Sequence, residues 1–102
     1  MNALIKKEKR FILLLLQTTG KQKKAMIKTI TVSQMKAVVQ IVYNVLQGYG
    51  KLTDGNKTKL RKHKIIIRRF LSKGLSNEKR QSLLLNYLHV LILPFRAVEK
   101  EL

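Results

Sequence analysis

Hydrophobic positions recur every three or four residues along most of this chain, the spacing of one face of an α-helix. The clearest case lies between Thr31 or Ser33, which can cap a helix, and Gly48, which can end one. Its apolar positions form one broad arc: Met35, Val38, Val39, Ile41, Val42, Val45 and Leu46. Its polar positions form a narrow stripe: Lys36, Gln40, Asn44 and Gln47. The spacing predicts the central core helix, although so many β-branched residues would also suit strands.

Residues that begin and end helices divide the rest of the chain. Further helices are predicted at residues 2–18, 21–30, 56–73 and 76–93. Gly20 is expected to end the first of these, Thr53 or Asp54 to cap the third, and Ser76 to cap the last, which Pro94 ends. The predicted fold class is therefore all-α, a small bundle of four or five helices in a single domain of residues 1–102.

The net charge indicates what kind of partner this predicted bundle binds. The 102 residues hold 22 Lys and Arg against 5 Asp and Glu, a formal net charge of +17. Residues 1–30 and 51–80 form two basic blocks, residues 31–50 form an apolar core segment, and residues 81–102 are apolar and neutral overall. A compact domain with this imbalance repels itself, so it favours a partner that supplies negative charge.

The predicted helix at residues 56–73 carries the most informative pattern. An apolar arc of about 140° holds Leu60, His63, Ile66, Ile67, Phe70 and Leu71. A first cationic ridge follows the spacing i, i+4, i+7, i+11 and consists of Lys57, Arg61, Lys64 and Arg68. A second ridge consists of Lys62, Arg69 and Lys73, and Ile65 lies between the two. The Lys79–Arg80 pair completes the predicted binding surface.

Two rows of cations with almost no interleaved acid are more typical of a surface that binds a phosphate backbone than of a helix face that is only solvated. The link from Gly48 to Thr53 joins two helices and could indicate a helix-turn-helix motif. Side chains that read bases usually include Asn, Gln, Ser or Thr, whereas this face carries cations and one Ile. The pattern therefore predicts non-specific binding of nucleic acid, with duplex DNA as the expected partner.

Few residues are suited to catalysis or to metal binding. The chain has no cysteine, so disulfides and thiolate metal sites are excluded. The two histidines, His63 and His89, lie in apolar patterns and are predicted to be core residues. The five acids are scattered, and Asp54 and Glu78 suit helix N-termini. We expect no enzymatic activity, no cofactor and no metal.

The three tyrosines raise the question of stacking on unpaired bases. Tyr43 and Tyr87 lie within predicted apolar helices and are expected in the core. Tyr49 lies between two glycines and is the one tyrosine predicted at the surface.

Several spaced matches between Val38 and Leu85 give the chain a family resemblance. They are Asn44-Val45-Leu46-x-Gly48, Leu52-Thr53, Lys59-Leu60-Arg61-Lys62-His63-Lys64, Ile67-Arg68-x-x-Leu71 and Leu75-Ser76-x-x-Lys79-Arg80. This pattern resembles small basic proteins of Polinton/Maverick elements and of the related adintoviruses. The resemblance implies a basic protein of a virion or mobile element that is packaged with DNA, located in the virion or the host nucleus.

Two other readings of the sequence stay open. The chain could be a minor capsid-lining or scaffold protein, because its middle and last helices offer more apolar surface than 102 residues readily bury, which also suggests a homo-oligomer. It could also act on membranes through residues 83–95. That run is too short to span a bilayer, and the apolar run at residues 11–16 is too short for a signal peptide, so a soluble protein is expected.

Overall fold

The structure is a computed structural model that describes residues 2–102. These residues form nine α-helical segments and a final 3-10 turn, and no strand occurs among them. The first four helices are α1 (Ala3–Lys7), α2 (Lys9–Gln17), α3 (Gly20–Lys28) and α4 (Val32–Leu46). The others are α5 (Asp54–Lys62), α6 (Lys64–Phe70), α7 (Asn77–Asn86), α8 (Leu88–Leu91) and α9 (Leu93–Val98), followed by the 3-10 turn Glu99–Glu101. The all-α prediction is confirmed, with more and shorter helices than expected.

The central helix α4 matches its prediction closely. Thr31 caps it, since the Thr31 hydroxyl accepts from the amide of Gln34 while the Gln34 side chain accepts from the amide of Thr31. Five of the seven predicted apolar positions are buried, namely Met35, Val38, Ile41, Val42 and Val45. The helix packs against α1 and α9 and so forms the centre of the core. The alternative of a strand at this position is excluded.

The first helix was predicted as one continuous element, and the structure corrects this. It breaks at Glu8, the one acid on its apolar side, whose carboxylate accepts a 2.8 Å hydrogen bond from the hydroxyl of Ser33. Ser33 therefore holds Glu8 and does not cap α4. Gly20 does not end the helix either: Thr18 ends α2, and Thr19 caps α3, of which Gly20 is the first residue.

The C-terminal segment also differs from its prediction. A single helix over residues 76–93 was expected, but the chain turns by 89° between α7 and the segment from Leu88 to Glu101. The break falls at Tyr87, whereas Pro94 lies in the first turn of α9, where its missing amide donor costs nothing. The turn lets the apolar run fold back onto the core, where it buries Val90, Leu91, Ile92, Leu93, Phe95 and Val98.

This burial bears on the expectation of a homo-oligomer, which rests in part on the apolar surface of the last helix. The sequence predicts that the last helix leaves apolar surface for a second subunit. In the structure, α9 instead buries its apolar side chains against α4 and α2 of the same chain. The core of the described residues is also free of buried polar or charged side chains. The radius of gyration is 12.4 Å, close to the value of about 13 Å for a compact chain of 100 residues.

Within residues 2–102, no single helix is both long enough and apolar enough to cross a bilayer. The pair formed by α7 and the segment from Leu88 to Glu101 has the required length and composition only when both are taken together across their 89° bend.

Candidate nucleic-acid interface

Helices α5 and α6 carry the predicted binding surface. Thr53 caps α5, its hydroxyl accepting from the amide of Asn56, and Asp54 occupies the first turn, as predicted. The helical path breaks at His63 and ends at Phe70, three residues earlier than predicted. Leu60, Ile67 and Phe70 are buried in the core, so the rest of the helical surface faces outward. The packing of these three residues therefore fixes the orientation of the cations.

The candidate cations on these two helices are all exposed: Lys57, Arg61, Lys62, Lys64, Arg68 and Arg69. Lys73 is exposed as well, but it lies in the link between α6 and α7 and so does not continue the second ridge as predicted. Residues 55–77 contain no acidic side chain. Apart from Asp54 at the start of α5, no acid of these two helices offsets the positive charge of this surface.

The two ridges lie on either side of the buried arc. At 100° per residue, the first ridge (Lys57, Arg61, Lys64, Arg68) adjoins the side of Leu60 and Ile67, and the second adjoins Ile66. Ile65 lies between the ridges at the crown of the helix, where 74% of its surface is exposed. The first ridge thus borders the buried side of the helices, and the most exposed line of the helical surface runs between the two ridges.

Beside the first ridge lies a groove that the sequence did not predict. All four residues of the first ridge line it, opposite the end of α4 and the link that follows. Its volume is about 420 Å³, and its floor is aliphatic, formed by Val45, Leu46, Leu52, Leu60 and Ile67. We call it the α4–α5 groove. The cations that line the groove thus all lie on its α5–α6 side, and the residues that α4 and the link contribute are apolar.

The end of the groove is shaped by the turn after α4. Gly48 has a φ of 102°, its amide donates to the carbonyl of Val45, and the amide of Tyr49 donates to the carbonyl of Asn44. This is the Schellman arrangement, which ends a helix in a fixed geometry. Tyr49 is 40% exposed, in agreement with its predicted surface position.

A second cavity of about 390 Å³ continues the groove past Tyr49. It shares Val45, Gly48, Leu52 and Lys57 with the α4–α5 groove and adds Tyr49 and Lys51. The link is held in place because the amide of Lys51 donates to the carbonyl of Ala97 in α9 at 3.0 Å. Helical periodicity could not predict a place for Lys51 at this site, because Lys51 lies in the link between two helices.

The link also bears on the helix-turn-helix hypothesis. Seven residues, 47–53, separate α4 from α5, whereas the turn of that motif has three or four. The connection therefore differs from the motif, and the prediction of non-specific binding is the one that we retain.

Arg80 differs from the other candidates. Its Nε donates to the carbonyl oxygen of Phe70 at 2.8 Å, and a terminal nitrogen donates to the carbonyl of Ser72 at 2.7 Å. These bonds satisfy backbone carbonyls at the end of α6, a structural role that the sequence did not reveal. Lys79, its neighbour, is exposed in the first turn of α7.

Three aromatic predictions are corrected by the structure. His89 is exposed and His63 is half-buried, with their rings in an edge-on contact at 5.8 Å between centroids, so neither is a fully buried core histidine. Tyr43 is 50% exposed because the polar side of α4 extends past it. Tyr87 packs against the core as predicted.

No group of three or more His, Asp or Glu residues within residues 2–102 is placed to hold a metal ion. Comparison with known proteins adds no further assignment: no protein family, curated protein or solved structure matched the chain.

Proposed function

We propose that this protein binds nucleic acid through its phosphate backbone, without sequence specificity, using the outer surface of α5 and α6. One observation carries the proposal: seven exposed cations, the six candidates and Lys59, lie on two consecutive helices whose residues from 55 onward include no acid. Surface charges that serve solubility alone are usually mixed in sign. A one-sign surface instead suits a polyanion, whose phosphates release counterions when cations replace them.

The chemistry of the side chains supports phosphate as the ligand. Arg61, Arg68 and Arg69 present planar guanidinium groups that can bind two phosphate oxygens at once. The lysines between them act as mobile point charges that adapt to the backbone. The exposed part of this surface offers no Asn or Gln beside the arginines of α6, so sequence-specific recognition of bases in a duplex is not expected.

Binding to unrelated DNA duplexes across a salt series tests the proposal. If the four residues of the first ridge each contact one phosphate, log affinity should fall with log salt with a slope of about −3.6. Unrelated sequences of equal length should give the same affinity and slope. Absence of binding at low salt and micromolar protein would show that the proposal is wrong.

The resemblance described above suggests where this binding takes place. We propose that the protein accompanies the DNA of a virus or mobile element. Co-purification of the protein with packaged DNA tests this location, and DNA-filled particles that lack the protein would contradict it.

A further inference from the structure

We propose that the α4–α5 groove receives unpaired bases, so that the protein binds single-stranded nucleic acid more tightly than duplex of the same length. The inference rests on the proposed function. It assigns a role to the apolar floor of the groove, which phosphate binding does not use. The observation behind it is an asymmetric concave surface: the whole first ridge lies on the α5–α6 side, whereas α4 and the link contribute only the apolar residues Val45, Leu46, Gly48 and Leu52.

A single strand has the matching asymmetry. Its phosphates carry all the charge along one edge, and its bases present largely apolar faces along the other. With the phosphates on Lys57, Arg61, Lys64 and Arg68, the bases would point toward Leu46 and the floor of the groove. In a duplex the bases are paired and stacked, and bringing them to this floor would require unpairing them.

The size of the groove suits such a ligand. The ridge from Lys57 to Arg68 is about 16 Å long at 1.5 Å per residue, which covers a few nucleotides. The groove volume of about 420 Å³ lies within the range of about 300–1,000 Å³ that is typical of small-ligand sites.

Tyr49 supplies an aromatic surface at one end of this path. It is exposed, lies at a fixed position in the Schellman turn, and lines the cavity that continues the groove. Lys51 and Lys57 line the same cavity and place positive charge beside the ring. A cationic groove with an aromatic platform is the arrangement by which proteins bind single strands without reading their sequence.

The proposal can be tested with three ligands of equal length and label: a single strand, a duplex, and an abasic single strand that keeps the phosphates but lacks the bases. Affinities for the full chain are measured by fluorescence anisotropy at one salt concentration. We expect the normal strand to bind about tenfold more tightly than the abasic strand, since stacking of one base contributes roughly that factor. The duplex should also bind less tightly than the normal strand.

Two variants with matched controls locate the bases. Tyr49→Ala and Leu46→Gln should each weaken binding of the normal strand severalfold and leave abasic binding unchanged. Tyr43→Ala and Leu14→Gln are the controls, because both residues are comparably exposed and lie outside the groove lining. Circular dichroism of each variant verifies that it is folded.

Equal affinity for the normal and abasic strands would overturn this inference and leave phosphate binding intact. If, in addition, an acidic amphipathic peptide bound the wild type but not Leu46→Gln, the groove would serve a protein partner and the inference would also be wrong. Failure of all three nucleic-acid ligands to bind at low salt would overturn the proposed function itself.

Discussion

Arg80 and Phe70 are joined by two contacts: the Nε of Arg80 donates to the carbonyl oxygen of Phe70 at 2.8 Å, and its guanidinium carbon lies 5.9 Å from the centroid of the Phe70 ring. Phe70 is the last residue of α6 and is fully buried. One side chain of α7 therefore fixes the end of α6 and, with it, the orientation of the candidate surface.

This pairing predicts that Arg80→Ala destabilises the protein by about 1.5–3 kcal/mol, the range for hydrogen bonds that involve a charged group. The carbonyls of Phe70 and Ser72 would lose their partner, and the cation–π contact would be lost as well. Urea denaturation measures the change. Lys79→Ala, which removes the same charge from an exposed neighbour, should leave the free energy of unfolding nearly unchanged; equal effects of the two substitutions would contradict the structural role of Arg80.

Gly50 offers a second test of the structure around the groove. Its φ is 79°, and a Cβ built on it would lie 2.5 Å from the carbonyl oxygen of Ala97. The left-handed conformation alone costs a residue other than glycine about 1–2 kcal/mol, and the clash adds to this cost. Gly50→Ala should therefore lower Tm by roughly 5 °C or more. Gly74→Ala is the control, since a Cβ there meets no atom within 4 Å and its φ is not positive; a Gly50→Ala protein as stable as this control would contradict the placement of the link against α9.

A long-range contact holds the basic helix α3 to α7. The Nε2 of Gln81 donates to the carbonyl oxygens of Ile27 and Lys28, at 2.8 and 3.0 Å, and so satisfies the end of α3. Gln81→Ala should cost about 1 kcal/mol of stability and speed amide hydrogen exchange in α3. Ser82→Ala, at an exposed neighbouring position, should change neither quantity. Unaltered exchange in α3 of the Gln81 variant would show that this contact does not hold the helix.

Ile65 permits a gain-of-function test of the binding surface. It lies between the two cationic ridges and is 74% exposed, so Ile65→Lys should leave the fold intact. The new cation should strengthen DNA binding and steepen the salt slope by about 0.9 for its added phosphate contact. Leu14→Lys, an exposed site on α2, adds the same net charge elsewhere. A Leu14→Lys gain equal to that of Ile65→Lys would indicate that net charge matters and that the position does not.

The sequence predicted the elements whose signals are local. The central helix follows from its apolar spacing, and Thr31, Thr53 and Ser76 cap their helices as hydroxyl residues at such positions usually do. The exposed cations of α5 and α6 follow from the burial of Leu60 and Ile67 on the same helices.

The features that the sequence did not predict depend on contacts between distant residues. The break at Glu8 coincides with its hydrogen bond to Ser33, twenty-five residues away. The bend at Tyr87 occurs although residues 81–93 contain neither glycine nor proline. The α4–α5 groove requires the end of α4 to face α5 across a link of irregular backbone. No periodic pattern encodes that arrangement, so the apolar floor became visible only in the folded chain.

Phosphate binding by the first ridge can be measured through the salt dependence of duplex DNA affinity in two double variants. Arg61→Ala with Arg68→Ala removes two charges from the ridge, and Lys7→Ala with Arg10→Ala removes two exposed charges from the first helices. We predict that the ridge variant binds more weakly than the N-terminal variant and that its salt slope is shallower than the wild-type slope by about 1.8. If the ridge variant keeps the wild-type affinity and slope while the N-terminal variant loses both, DNA binds to the first helices and not to the first ridge.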